Sequence, residues 1–304
     1  MSIRFDQRVA IVTGAGNGLG RAHALGLAAR GAKVVVNDLG GALDGSGSSA
    51  RAAERVVDEI SAAGGEAFAD ASNVADAAAV EAMIATTLSR YGRVDILINN
   101  AGILRDKSFA KMEMSDFRAV MDVHVMGAVH CTKAVWETMR TQNYGRILFT
   151  TSSSGLYGNF GQANYAAAKA ALIGLMNTLH LEGEKYNIRL NALAPVAATR
   201  MTQELMPKEA LGLLKPEAVT PGVLFLMSEN APSRVILAAG AGGFAVTHII
   251  ESEGLQLPGD PVTPEAIAAA FADISDAGNG KALQGAFEQT AKFVTRALAA
   301  APKS

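Results

Sequence analysis

The chain has 304 residues, of which 49% are hydrophobic and 18% are charged, and its formal net charge at pH 7 is −2. This balance excludes the basic footprint of a nucleic-acid-binding domain, and the apolar runs are too short for a membrane span. The single cysteine, Cys131, excludes an intramolecular disulfide and is typical of a small core residue in a reducing compartment.

Apolar runs of strand type alternate with helical patterns along most of the chain. The predicted strands cover residues 9–13, 33–37, 66–70, 94–98, 145–151, 188–193 and 234–239. The predicted helices between them cover residues 18–30, 50–63, 76–90, 115–141, 164–185 and 216–229. This alternation indicates an α/β fold with a doubly wound parallel sheet, and we assign it to a domain spanning residues 1–245.

The tail, residues 246–304, breaks the alternation. Three prolines between residues 258 and 264 precede alanine-rich helical patterns near 264–275 and 281–300. The tail is too short and too poor in large apolar residues to form a second core. We therefore expect a helical C-terminal extension that is docked on the first domain.

A glycine-rich turn follows the first predicted strand. Its order, Gly14-x-x-x-Gly18-x-Gly20, matches the G-x-G-x-x-G fingerprint only loosely, and the turn can be read as purely structural. Glycines here let a pyrophosphate approach a helix N-terminus. The second predicted strand ends at Asp38, where a carboxylate accepts ribose hydroxyls and repels a 2′-phosphate. Together the two features predict a dinucleotide site that prefers NAD to NADP.

The segment at residues 44–49 reads Asp-Gly-Ser-Gly-Ser-Ser and follows the second predicted strand. Its composition is typical of a flexible connection. Two interpretations stay open: the segment closes over the adenosine side of the dinucleotide site, or it is a plain surface loop.

Tyr165 and Lys169 lie four residues apart in an alanine-rich helical pattern, thirteen residues after Ser152. On a helix they share one face. With the charges roughly 4.5 Å apart and an effective dielectric near 20, the interaction that favours a phenolate is about 3–4 kcal/mol. That interaction lowers a tyrosine pKa from about 10 towards about 7–8, where the phenol exchanges protons with an alcohol. Such a pair is common on helix surfaces, so its meaning depends on the dinucleotide site.

From about residue 5 to residue 240 the chain resembles the short-chain dehydrogenase/reductase family. The motifs that carry the resemblance are Thr13-Gly14-x-x-x-Gly18-x-Gly20, Asn99-Asn100-Ala101-Gly102, Ser152 and Tyr165-x-x-x-Lys169. The runs at 36–41, 100–109, 155–165 and 200–202 are similar to one branch of that family, the (3R)-hydroxyacyl-CoA dehydrogenase units of multifunctional enzymes type 2. Residues 263–267 are similar to the C-terminal extension of those units.

The resemblance implies that Ser152, Tyr165 and Lys169 are catalytic. Ser152 would bind the substrate oxygen, Tyr165 would move the alcohol proton, and Lys169 would also bond the nicotinamide ribose. Two more serines follow Ser152, and only the family spacing selects it. His124 replaces an asparagine that most family members have, and it is either a packed histidine or a further member of the proton relay. No histidine has metal-ligand spacing, so no metal site is predicted.

The implied cofactor contacts come from the glycine turn and from the ends of the later strands. They are Gly14, Asn17, Gly18, Leu19, Gly20, Asp38, Asn73, Val74, Asn99, Ala101, Gly102, Tyr165, Lys169, Pro195 and Thr199. The glycine that usually follows the proline is Val196 here. The implied cofactor is NAD.

The implied reaction interconverts a (3R)-hydroxyacyl-CoA and a 3-oxoacyl-CoA, with a fatty or a steroid side-chain acyl group. A rim of Leu156, Tyr157, Phe160 and Gln162 is predicted to line the acyl side. Apolar residues from Met201 to Leu214 form either a substrate lid or ordinary core. The alternatives are a 17β-type hydroxysteroid dehydrogenase that acts on the free ring alcohol, and a non-catalytic NAD-binding sensor. The intact Ser152, Tyr165 and Lys169 disfavour the sensor.

The resemblance also implies self-association. In the family the helices corresponding to residues 115–141 and 164–185 pair across a two-fold axis, and we expect a homodimer, with a tetramer as the alternative. The chain begins without an apolar signal core and ends in Ala-Pro-Lys-Ser, which is no peroxisomal tripeptide. We therefore expect a cytoplasmic protein of a bacterium, with a small-molecule substrate and no nucleic-acid or membrane partner.

Overall fold

Parallel strand pairing dominates the computed structural model, which describes residues 2–198, 211–259 and 261–300. The described residues form an eight-stranded sheet in the order β3-β2-β1-β4-β5-β6-β7-β8, in which β1 to β7 pair in parallel. The strands are β1 Val9–Thr13, β2 Lys33–Asn37, β3 Glu66–Asp70, β4 Ile96–Asn99, β5 Gly145–Thr150, β6 Ile188–Val196, β7 Ile236–Gly240 and β8 Gly243–Thr247. The predicted α/β fold class, with a doubly wound sheet, is confirmed.

Helices cover both faces of this sheet. The α-helices around it are α1 Gly18–Ala28, α2 Arg51–Ala62, α3 Ala77–Tyr91, α4 Met114–Met121, α5 Gly127–Gln142, α6 Ser153–Tyr157, α7 Ala163–Gly183 and α8 Thr220–Met227. A π-helical turn, Asp122–Met126, joins α4 to α5. Short 3₁₀ turns lie at Phe109–Lys111, Glu184–Tyr186 and Pro216–Ala218. None of the described helices is long and apolar enough to cross a membrane.

Alternate side chains of the inner strands point to opposite faces of the sheet. In β1, Ala10 and Val12 pack in one buried layer with α1, α2 and α8, whereas Ile11 packs in the other with α3, α5 and α7. This two-residue period is the reason that the strand reads as an unbroken apolar run. Cys131 is fully buried in the second layer, as predicted for a core residue.

The last strand was not predicted from the sequence. Ala241 and Gly242, between β7 and β8, both have a positive φ, 48° and 78° respectively. Two such residues make the type I′ reversal that joins antiparallel strands. Alanine rarely has a positive φ, so the Ala241-Gly242 pair does not indicate a hairpin in the way that Asn-Gly or Asp-Gly would.

The chain divides into two compact units, Met1–Val246 and Thr247–Ser304. The second unit contains the helices α9 Pro264–Ala269, α10 Phe271–Ile274 and α11 Ala286–Ala300. Its internal ties are polar: Lys292 Nζ donates to Glu251 Oε1 over 2.7 Å and to Ser252 O over 2.8 Å. The docking of this helical extension on the core stays a prediction.

One buried histidine makes the stability of the first unit sensitive to acid. His23, on α1, is fully buried, and its Nδ1 lies 3.0 Å from Thr220 Oγ1. Burial lowers the pKa of His23 to about 3. Above the unfolded-state pKa of about 6.5, His23 adds no pH dependence to the free energy of unfolding. As the pH falls from about 6.5 towards about 3, the unfolded state takes up a proton that the folded state does not, and the free energy of unfolding decreases.

We expect the chain to lose about 2 kcal/mol of unfolding free energy between pH 7 and pH 5 through this residue. Urea unfolding of His23→Gln at both pH values should give a loss smaller by that amount. His248→Gln is the matched control, because His248 is exposed. An equal pH dependence in His23→Gln and in the unmodified chain would contradict the assignment.

Candidate active site

Ser152 follows β5 at the carboxyl edge of the sheet. It precedes α6, and its Oγ accepts a hydrogen bond from Ser154 N over 3.2 Å. A side-chain hydrogen bond also joins Ser152 to Tyr165. Ser154 Oγ instead donates to Gln162 Oε1 over 2.8 Å. The geometry therefore selects Ser152 over Ser154 as the serine beside the tyrosine.

Tyr165 and Lys169 lie on successive turns of α7, as predicted. Lys169 Nζ is 5.4 Å from the centroid of the Tyr165 ring and donates to Thr150 O over 2.5 Å. The lysine side chain is buried beneath α6, where a Cβ atom at Gly155 would lie 2.7 Å from Lys169 Cβ. A glycine at this position of α6 lets the two helices approach closely enough to enclose the lysine.

Burial determines the protonation of this pair. Desolvation raises the pKa of Tyr165, which the hydrogen bond from Ser152 opposes, and it lowers the pKa of Lys169 to about 7. The predicted fall of the Tyr165 pKa towards 7–8 is therefore wrong in this structure. The prediction counted only the attraction between a charged ammonium and the phenolate, whereas burial disfavours the charged form of both groups.

His124 lies in the π-helical turn and is packed against Tyr165. The two rings meet edge to face, with centroids 5.3 Å apart and an angle of 86° between their planes. His124 Nε2 lies 2.9 Å from Ile103 O and 3.0 Å from Ile103 N. Burial, and then the charge of Lys169, hold the pKa of His124 well below its usual range. His124 is thus a neutral, hydrogen-bonded histidine in contact with the catalytic tyrosine candidate.

A small cavity of about 10 Å³ lies between His124, Lys169 and Asn99. Asn99 Nδ2 donates to Thr132 Oγ1 over 3.3 Å. Among the described residues, neither Asn99 Oδ1 nor His124 Nδ1 has a hydrogen-bond partner. Asn99 therefore lines this cavity beside Lys169 and not the main cleft, in which a cofactor contact was predicted for it.

A cleft of about 410 Å³ opens at the carboxyl ends of β1, β2, β3 and β4. Its floor is the glycine turn, in which Gly14 and Gly18 have φ of +63° and +54°. A Cβ atom at Gly20 would lie 2.3 Å from Gly14 O, so only glycine fits there. This bare backbone at the start of α1 matches what a dinucleotide pyrophosphate requires.

Most of the predicted cofactor contacts line this cleft. They are Gly14, Asn17, Gly18, Leu19, Gly20, Asp38, Asn73, Val74, Ala101 and Gly102. Tyr165, Lys169 and Pro195 lie on other elements and are not part of its lining, and Thr199 is outside the described residues. The lid positions at 201–210 are also outside the described residues.

Asp38 holds two parts of the cleft together. Its Oδ2 accepts from Gly16 N and its Oδ1 from Gly40 N, each over 2.7 Å. The carboxylate is therefore fixed between the glycine turn and the loop that follows β2.

Sequence reasoning missed part of the cleft wall. The missed residues include Leu39, Gly41, Ala42, Leu43, Ile103, Arg105, Ala119, Asp122 and Val123. Gly45, from the segment with two open interpretations, lines the cleft as well, which favours the covering loop over the plain surface loop. The glycine-rich composition of that segment was the available signal, but it did not reveal which residues the loop contacts.

Only part of the predicted acyl rim is exposed to solvent. Tyr157 and Phe160 are 72% and 91% exposed, as an open apolar edge requires. Gln162 is buried and donates to Asp106 Oδ2 over 2.6 Å, so it is a structural residue and its assignment to the rim is wrong. Arg105 and Lys107 both form ion pairs with Asp116.

No group of three or more His, Cys, Asp or Glu residues in the described ranges could hold a metal ion.

The family model for short chain dehydrogenase matches residues 8–210. Peroxisomal multifunctional enzyme type 2 of Drosophila melanogaster is 48% identical over 285 residues, which cover 92% of this chain and 47% of that protein. The chain thus spans about half the length of that relative. The solved full-length structure of the Drosophila enzyme matches with a TM-score of 0.81 and 38% identity, over 98% of this chain and 50% of that one.

Two further relatives have nearly the length of this chain or of its first unit. A short-chain type dehydrogenase/reductase of Mycobacterium tuberculosis is 47% identical over 277 residues, which are 91% of this chain and 96% of that protein. A solved structure of 7α-hydroxysteroid dehydrogenase, complexed with NADH and 7-oxo glycochenodeoxycholic acid, matches with a TM-score of 0.71 and 33% identity. That match covers 79% of this chain and 95% of the other.

Proposed function

Since the chain belongs to the short-chain dehydrogenase family and is an oxidoreductase acting on CH–OH with a nicotinamide cofactor, we propose that it interconverts a (3R)-hydroxyacyl-CoA and a 3-oxoacyl-CoA with NAD. The observation that carries the chemistry is the grouping of Ser152, Tyr165 and Lys169, in which a side-chain hydrogen bond from Ser152 lowers the pKa of Tyr165 and the buried Lys169 Nζ lies 5.4 Å from the centroid of the Tyr165 ring. The assignment of the substrate rests on how far along the chain the similarity to the Drosophila enzyme extends. The family model ends at residue 210, whereas the Drosophila relative matches 92% of the chain.

In the oxidation direction, the alcohol carbon loses a hydride and the alcohol oxygen loses a proton. Tyr165, which acts as the phenolate after losing its own proton, takes the alcohol proton at Oη. Ser152 Oγ donates a hydrogen bond to the substrate oxygen. Lys169, whose pKa is about 7, holds or releases a proton at Nζ next to the ring. When bound, NAD supplies the hydride acceptor and a positive charge that favours the phenolate. Proton transfer of this kind accelerates a reaction by about 10²–10⁴-fold.

The cleft residues support NAD as the cofactor. The bare backbone from Gly14 to Gly20 would hold the pyrophosphate, and Asp38 would hold the hydroxyls of the adenosine ribose. A 2′-phosphate would face the Asp38 carboxylate, which the two backbone N–H groups keep in place. The homodimer and the catalytic contribution of His124 remain proposals on the family pattern.

The test is NADH formation from a substrate panel, run with NAD and with NADP. The panel holds (3R)- and (3S)-hydroxyacyl-CoA of several chain lengths, a steroid side-chain CoA thioester and a free 17β-hydroxysteroid. Turnover confined to the (3R) thioesters with NAD is the expected result. Turnover of the (3S) thioesters, or a preference for NADP, would contradict the stereochemistry or the account of Asp38.

A ring-alcohol dehydrogenase is the second candidate. The likeness to a solved 7α-hydroxysteroid dehydrogenase, at 33% identity over 79% of this chain, favours it. It uses the same Ser152, Tyr165 and Lys169, so only the substrate separates the two functions. Turnover of the free steroid without turnover of any thioester would establish this candidate and exclude the first.

A further inference from the structure

The loop Leu39–Ser49, here called the strap, leaves the sheet directly after Asp38. Its two ends are joined, because Ser49 N donates to Leu39 O over 2.8 Å. Only glycine fits at this neck, since a Cβ atom at Gly40 would lie 1.8 Å from Ser49 O. Gly40 N also donates to the Asp38 carboxylate, so the strap begins at a fixed point on the cleft wall.

The tip of the strap is attached to the segment after β4. Leu104 N donates to Leu43 O over 3.0 Å, and Arg105 Nε donates to Asp44 O over 2.9 Å. Gly45 lies against Ile103, with its ideal Cβ position 3.1 Å from Ile103 Cγ2. The strap thus runs from β2 to residues 103–105, and both its path and its attachment line the cleft.

Arg105 is itself held from two sides. Its guanidinium Nη1 lies 3.2 Å from Asp116 Oδ1 on α4, and Lys107 Nζ shares the same carboxylate over 2.9 Å. Its backbone oxygen accepts from Asn164 Nδ2 over 3.0 Å. Asn164 is fully buried in the first turn of α7, next to Tyr165. The side chain that binds the strap is therefore held by α4, and the backbone of the same residue is bonded to α7, the helix that carries Tyr165 and Lys169.

We propose that Arg105 is a positioning residue that keeps the strap closed over the bound cofactor and thereby slows its release. A dinucleotide can leave past the strap only when the bonds from Leu104 to Leu43 and from Arg105 to Asp44 open. The backbone bond alone is neutral, whereas the bond from Arg105 is charge-assisted and is the stronger of the two. The inference rests on the proposed function in one respect, that the ligand of the cleft is NAD or NADH.

The first measurement is the NADH dissociation rate, followed by stopped-flow fluorescence as excess NAD displaces NADH in the absence of substrate. Arg105→Ala should release NADH about fivefold faster, the effect expected for one exposed charge-assisted hydrogen bond. The KM for NAD should rise with it, while the KM for the substrate stays unchanged. Lys107→Ala is the matched control, because Lys107 shares Asp116 but makes no hydrogen bond to the strap among the described residues.

The second measurement is amide hydrogen exchange at Leu104 in the chain without cofactor, which depends on no activity. Arg105→Ala should speed this exchange and Lys107→Ala should not. If both variants bind NADH and neither changes release or exchange, the inference is wrong and the proposed function stands. If the unmodified chain binds no NADH, the proposed function is wrong, and the exchange at Leu104 still decides whether Arg105 holds the strap.

Discussion

Tyr165→Phe is expected to lower kcat by about 10³-fold, within the range of general acid–base catalysis, and to leave the Kd for NADH within about twofold. The variant loses only the phenol oxygen, which is the group that Ser152 contacts. The ring, which packs edge to face on His124, remains. Steady-state kinetics and a fluorescence titration with NADH measure the two quantities.

Tyr91→Phe provides the control for this variant. Tyr91 ends α3, and its ring packs on Phe68 of β3, with the two centroids 5.9 Å apart. It should leave kcat unchanged. A Tyr165→Phe variant with a large loss of NADH binding, or with nearly normal turnover, would show that the phenol is structural and that another group moves the proton.

Lys169→Met is expected to change activity and stability in opposite directions. It should lower kcat/KM by about 10²-fold, because the group that holds a proton beneath Tyr165 is lost. It should also raise the free energy of unfolding at pH 7 by about 2 kcal/mol. The buried ammonium is costly: burial lowers its pKa from 10.5 to about 7, a shift equivalent to about 5 kcal/mol. Part of that gain is offset by the lost hydrogen bond to Thr150 O.

The pH dependence distinguishes this explanation from ordinary repacking. The cost of burying the amine is absent above the unfolded pKa of 10.5, grows as the pH falls towards 7, and is complete below 7. Between pH 7 and pH 10 the effect of Lys169→Met on the free energy of unfolding should therefore fall by about 3.5 kcal/mol, so that the variant is less stable than the unmodified chain near pH 10. Urea unfolding at both pH values measures it, with Lys133→Met, at an exposed position of α5, as the control. A gain independent of pH would mean that packing, and not charge, is responsible.

The strands β1 to β7 were predictable because they are short apolar runs bounded by turn residues. The predicted bounds of β1, β2 and β3 agree with the structure residue for residue. Glycine at 14, 18 and 20 indicated the turn before α1, since a positive φ and close backbone contacts leave no room for a side chain there. These features follow from local sequence, which is why composition and spacing were enough to find them.

The remaining features depend on contacts between distant residues. The local sequence does not indicate the protonation states of Tyr165 and Lys169, because these states depend on burial of the pair by α6 and β5. The position of Gln162 next to Phe160 predicts a rim residue, but its side chain is bonded to Asp106 and Ser154. Likewise, a serine- and glycine-rich run gave no sign that its tip binds Arg105.

The π-helical turn at Asp122–Met126 amounts to one extra residue in a helix that otherwise runs regularly from Met114 to Gln142. An α-helix rotates by about 100° per residue. Deleting one residue from the turn would therefore rotate α4 and His124 by about that angle relative to α5, which the core holds through Cys131 and Met139. His124 would then no longer reach the edge of Tyr165. Loss of a single residue from this turn would thus alter the active site of this chain even with Ser152, Tyr165 and Lys169 all present.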